Sequence, residues 1–101
     1  MSEFKVWGIK IKDEIRDGKL FWNIDIHNPF QMVDGKFRYG INERIVNEAM
    51  RLGVQEFIVK GNRIRVPSKK GLKLKIKNGE FETKQSLFEG SPDYRIYYFI
   101  I

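Results

Sequence analysis

Apolar and polar residues alternate on both sides of Asp17-Gly18, and that dipeptide is a two-residue hairpin signal. Closing the turn sets Arg16 opposite Lys19. Moving outward, it sets Ile15 opposite Leu20, Ile11 opposite Ile24 and Ile9 opposite Ile26. Leu20, Trp22, Ile24 and Ile26 then share one face, so 4–27 reads as a long hairpin with one buried side. Phe4 and Val6 precede Gly8 while Ile9 and Ile11 follow it, a break in the alternation that predicts a bulge at Gly8.

Asn28-Pro29 and Asp34-Gly35 mark 28–40 as a connection, with Lys36-Phe37-Arg38-Tyr39 as a short strand inside it. The period then changes. Ile45, Val46, Ala49, Met50 and Leu52 make one apolar stripe of a helix over 43–52. Asn42 is its N-cap, because the amide oxygen can accept from a first-turn N–H that has no partner in the helix. Ile41 and Val46 suit a hydrophobic staple, and Gly53 suits the C′ position. Downstream, Gly61-Asn62, the segment 67–71 and Asn78-Gly79 punctuate four short runs, 56–60, 63–66, 72–77 and 80–85, which predicts a four-stranded meander. After a loop over 86–92, residues 93–101 form a last strand apolar on both faces, suited to the inside of a sheet or to another subunit. The expected fold is α+β. Its mostly antiparallel sheet contains an N-terminal hairpin, one helix, a C-terminal meander and a final strand, with partial closure into a barrel as the alternative. At 101 residues the expectation is a single domain, 1–101.

Charge changes this picture. The net charge is +6, from 19 Lys and Arg against 13 Asp and Glu. Eight of those bases (Lys60, Arg63, Arg65, Lys69, Lys70, Lys73, Lys75 and Lys77) fall within 60–77, which contains no acid. Folding that segment as a hairpin with Val66 opposite Leu72 would set Arg65 against Lys73 and Arg63 against Lys75. Facing like charges are unfavourable unless the face is well solvated or receives an anion, and a phosphate backbone is such an anion. Two readings follow. One is a nucleic-acid-binding surface made of those eight residues. The other is an ordinary solvated face, with Lys77 and Lys75 matched to Glu80 and Glu82 across the Asn78-Gly79 turn. A Cys-free composition rich in Lys, Glu and Ile also suits a heat-adapted surface.

Aromatic residues offer a second line. Phe21 shares the polar face of the first hairpin with Lys10, Lys12 and Lys19, and Phe37 and Tyr39 alternate with Lys36 and Arg38, so each could stack on a nucleobase. Core packing is the simpler role for all three. Tyr94, Ile96, Tyr98 and Ile100 share one face of the last strand. They suit either a central strand or the seam of a homo-oligomer, the basis of an alternative reading as an assembly module.

Catalysis has weaker support. Asp25 and His27 project from one face, where a carboxylate could orient an imidazole in a hydrolase. The hairpin register, however, sets Asp25 opposite Lys10, and an ion pair explains it as well. Asp13, Asp25 and Glu56 could serve a metal-dependent nuclease only if the fold brought them together. Asp34 is near in sequence, but no nucleophile setting or phosphate-binding glycine loop accompanies it. The helix carries Glu43 and Glu48 beside Arg44 and Arg51 and has no helical neighbour, so it does not resemble a DNA-reading helix. With no Cys and one His, thiol chemistry and multi-His metal sites are excluded, and nothing in the sequence asks for a cofactor or metal. No run approaches the ~20 apolar residues of a membrane span and no secretion signal is visible. The expectation is therefore a cytoplasmic protein with no membrane partner. It is non-enzymatic, with nucleic acid as the partner in the first reading and a second copy in the alternative.

Overall fold

The computed structural model describes residues 2–6, 8–25, 30–33, 35–86, 90 and 92–100, with 30–33 described by their backbone. The chain folds as β1 (Glu3–Val6), β2 (Ile9–Arg16), β3 (Lys19–Ile24), β4 (Phe30–Val33), β5 (Lys36–Asn42), α1 (Glu43–Leu52), β6 (Glu56–Val59), β7 (Asn62–Arg65), α2 (Lys69–Lys77), β8 (Phe81–Lys84) and β9 (Tyr94–Ile100). This is an α+β fold in two open sheets, a five-stranded one ordered β1-β2-β3-β6-β7 and a four-stranded one ordered β4-β5-β9-β8. Neither sheet closes into a barrel. Every strand pair is antiparallel except β3 with β6.

The first hairpin forms in the expected register, from Arg16 against Lys19 to Ile11 against Ile24, and Asp17 and Gly18 both take positive φ at its turn. The pairing of Ile9 with Ile26 lies outside the described residues. Gly8 is not a bulge. It takes φ 77° where the chain reverses between β1 and β2, so Val6 faces Ile9 and a third strand is added. The connection 28–40 likewise contains more strand than expected, with β4 pairing antiparallel to a longer β5; Asn28-Pro29 and Asp34 lie outside the described residues.

α1 occupies the expected span. Asn42 Oδ1 accepts from the Arg44 N–H at 2.8 Å, and Gly53 closes the helix in the left-handed conformation at φ 77°. The turn after β6 falls one residue earlier than the Gly61-Asn62 reading, on Lys60 (φ 50°) and Gly61 (φ 82°).

The main correction concerns 72–77, which is not a meander strand but most of helix α2. Leu-Lys-Leu-Lys-Ile-Lys alternates with period two, yet Leu and Lys favour helix and Ile76 is the sole β-branched residue in the run. The ends decide. Ser68 Oγ accepts from the Gly71 N–H at 3.1 Å as N-cap. At the other end Gly79 (φ 71°) donates to Ile76 O at 3.1 Å and Glu80 donates to Lys75 O at 2.9 Å, the double closure of a Schellman cap. Asn78-Gly79 therefore ends a helix instead of turning a hairpin. The ladder of Arg65 against Lys73 and Arg63 against Lys75 does not exist, and Lys75 meets Glu80 while Glu82 meets Lys84.

The core lies between the sheets, with α1 against β5 and β9. A run of aromatic contacts crosses it. Phe4 meets Trp22 edge-on at 5.3 Å, Trp22 meets Phe57 at 6.4 Å, and Phe57 of the first sheet meets Phe99 of the second at 6.5 Å. Ile45, Val46 and Ala49 bring α1 into the same cluster. Leu52, expected on the buried stripe, is 48% exposed at the last residue of the helix. Among the described residues no helix is long and apolar enough to cross a membrane.

Candidate nucleic-acid interface

Helical geometry sorts the residues of α2 by face. Leu72 and Ile76, one turn apart, pack against the core. Lys69, Lys70, Lys73, Leu74 and Lys77 are exposed, and at 100° per residue they cover an arc of about 140°. Lys69, Lys73 and Lys77 rise along it in steps of about 6 Å. None of these four lysines has an ion pair among the described residues. The first turn contains no acid, so the positive end of the helix dipole and Lys69 and Lys70 add with the same sign.

The eight bases singled out in 60–77 separate into two groups. Lys60, Arg65, Lys69, Lys70, Lys73 and Lys77 are exposed and without ion pairs among the described residues. Lys75 and Arg63 are engaged. Lys75 Nζ donates to Tyr98 O at 3.2 Å, lies 4.6 Å from the Phe99 ring centroid and sits 3.7 Å from the Glu80 carboxylate. It fastens α2 to β9. Arg63 Nε donates to Glu56 Oε2 at 2.7 Å.

Arg63 belongs to the solvent face of the five-stranded sheet. Register sets Glu14, Phe21, Glu56 and Arg65 side by side on that face across β2, β3, β6 and β7. Phe21 is 5% exposed. Two guanidinium groups lie over its ring, that of Arg16 at 5.8 Å and that of Arg63 at 5.5 Å from the centroid. Each is held by a carboxylate, Arg16 by Glu14 at 3.0 Å and Arg63 by Glu56. The hydrogen bond from Arg16, then that from Asn23, holds the Glu14 carboxyl below its usual range. Neither a bare stacking surface nor a core residue describes Phe21, which is the floor under two fixed cations. Sequence alone did not show this, because Arg63 reaches Phe21 through the parallel β3–β6 pairing. Phe37 is half exposed at the start of β5, and Tyr39 is buried with its hydroxyl accepting from Asn62 at 3.5 Å.

The remaining candidates are dispersed. Asp13 lies on the inner side of β2, where it accepts from the Ser2 N–H at 2.6 Å. Asp25 and Glu56 share the outer face, but Asp25 lies four residues along the chain from Phe21, the residue opposite Glu56. Their carboxylates do not converge, and among the described residues no cluster of His, Asp and Glu could hold a metal. His27 lies outside the described residues. β9 lies inside its sheet, paired by β5 along Ile96–Ile100 and by β8 along Tyr94–Tyr97. On its outer face Tyr98 is buried and donates to Glu82, Tyr94 and Ile96 are half-buried, and Ile100 is 49% exposed. Compared with protein-family models, curated proteins and solved structures, the chain shows significant similarity to none.

Proposed function

We propose that the protein is a non-enzymatic binder of nucleic acid that grips the phosphate backbone with the solvent face of α2. The observation that carries this reading is the exposed lysine arc of Lys69, Lys70, Lys73 and Lys77, without an ion pair among the described residues and in a segment without a single acid. A helix face of lysines contacts phosphates as point charges and reads little base sequence. Arg65 and Lys60 extend the positive surface beyond the helix.

Fluorescence anisotropy with a labelled mixed-sequence duplex, titrated between about 50 and 200 mM salt, tests it. Four phosphate contacts give a log–log salt slope of about −3 to −4. The triple variant Lys69→Gln, Lys73→Gln, Lys77→Gln is expected to flatten the slope by about 2 to 3 units, similarly for unrelated sequences. Absence of wild-type binding at the lower salt would refute the reading.

A further inference from the structure

We propose that the outer face of the five-stranded sheet is a second arm of this interface, specific for single-stranded nucleic acid, with nucleobases stacking on the guanidinium planes of Arg16 and Arg63. The proposal rests on the reading of α2 as a phosphate grip.

Three observations carry it. The first is the geometry around Phe21. Each guanidinium has an aromatic ring within 6 Å on one side and a carboxylate at its edge. Both side chains are open to water, that of Arg16 54% and that of Arg63 60% exposed. A planar cation held in this way has already lost much of its rotamer freedom. It presents a flat, weakly hydrated surface on which an unstacked base can lie. A face that needed only solubility would have no use for a phenylalanine at its centre, and the ring lies within 6 Å of both cations.

The second is charge. Register places Lys5, Lys12, Lys19 and Arg65 on the same face, and none of the four has an ion pair among the described residues. All four are exposed and can take phosphates; of the acids on this face, Glu14 and Glu56 are held by the two arginines, Glu3 lies 3.9 Å from Lys10, and Asp25 follows the end of β3. The third is continuity. Arg65 ends β7 and Ser68 caps α2, so three residues of chain carry the sheet into the helix that bears the lysine arc. A strand lying along both would place phosphates on lysines and bases on the arginine planes. A duplex cannot, because its bases are already stacked on one another and a flat sheet face enters neither groove.

The test compares a labelled mixed-sequence single strand with its duplex, against wild type, the double variant Arg16→Lys with Arg63→Lys, and Phe21→Leu. The lysine variant keeps charge and removes planarity; Phe21→Leu keeps an apolar floor and removes the ring. Both are expected to weaken single-strand binding about tenfold, leaving duplex binding within about twofold and the salt slope unchanged. Circular dichroism and thermal melts confirm the fold of each variant, and the α2 triple variant, which weakens both ligands, serves as the control. Equal wild-type affinity for the two ligands, or undiminished single-strand binding by the lysine variant, overturns the proposal and leaves the α2 grip standing. Absence of wild-type binding to either ligand overturns both.

Discussion

Gly71 and Gly79 stand near opposite ends of α2 and answer the same substitution with opposite signs. Gly79 holds φ 71°, and a Cβ there would meet nothing within 4 Å, so the cost of Gly79→Ala is conformational alone, about 1 kcal/mol. Gly71 sits in the first helical turn at ordinary φ. Its added Cβ would lie 3.4 Å from Ser68 Oγ and 3.7 Å from Pro67 Cβ, normal contact distances. Gly71→Ala should therefore stabilise by about 0.5–1 kcal/mol, and urea melts of both variants check the pair of signs. Tyr98 supplies a pH test. Burial first, and then the Glu82 carboxylate that accepts its hydrogen bond, push its hydroxyl from 10.0 up to about 12. The neutral phenol is the form the fold favours, so its stabilising contribution is complete below pH 10 and is lost as pH rises toward about 12. Tyr98→Phe should lose less stability than wild type across that window, measured as unfolding midpoints at stepped alkaline pH. Asp17-Gly18 and Asn42 were legible residue by residue because each acts on its immediate neighbours. The Arg16–Phe21–Arg63 stack was not, since a parallel pairing between distant strands creates it.

At the scale of elements, α1 and α2 show what periodicity can and cannot decide. The stripe of α1 repeats with a helical period and is flanked by Asn42 and Gly53, so pattern and caps agree. In α2 they conflict. The alternation of Leu72, Leu74 and Ile76 predicts a strand, and Asn78-Gly79 fits a hairpin turn as well as a helix end, because both need a residue at positive φ. The deciding signals were Ser68 directly after Pro67 and the helix propensity of Leu and Lys. Helix formation leaves Leu74 51% exposed, the residue that the strand pattern would have buried. Ser68→Ala is accordingly expected to cost about 1 kcal/mol, and hydrogen exchange should show the loss concentrated in the amides of α2. None of the helix residues is fully buried, so α2 is expected to open before strands with buried residues such as β3, β6 and β9.

For the molecule as a whole, Phe57 links the two sheets, since its fully buried ring touches Trp22 in its own sheet and Phe99 in the other. Phe57→Ala should cost about 3–5 kcal/mol. In wild type, tryptophan fluorescence and far-ultraviolet dichroism should trace one coincident urea transition, because the two sheets share this core. The route of the chain has a consequence for synthesis. The polypeptide leaves the first sheet after β3, builds β4, β5 and α1, returns for β6 and β7, and only then crosses back to complete the second sheet. On the ribosome β5 therefore emerges with one edge unpaired and waits through α1, β6, β7, α2 and β8 until β9 fills the gap between β5 and β8. Throughout that interval Tyr39 and Ile41 face a half-built core, and the open edge of β5 is where a nascent chain would recruit a chaperone or pair with its neighbour.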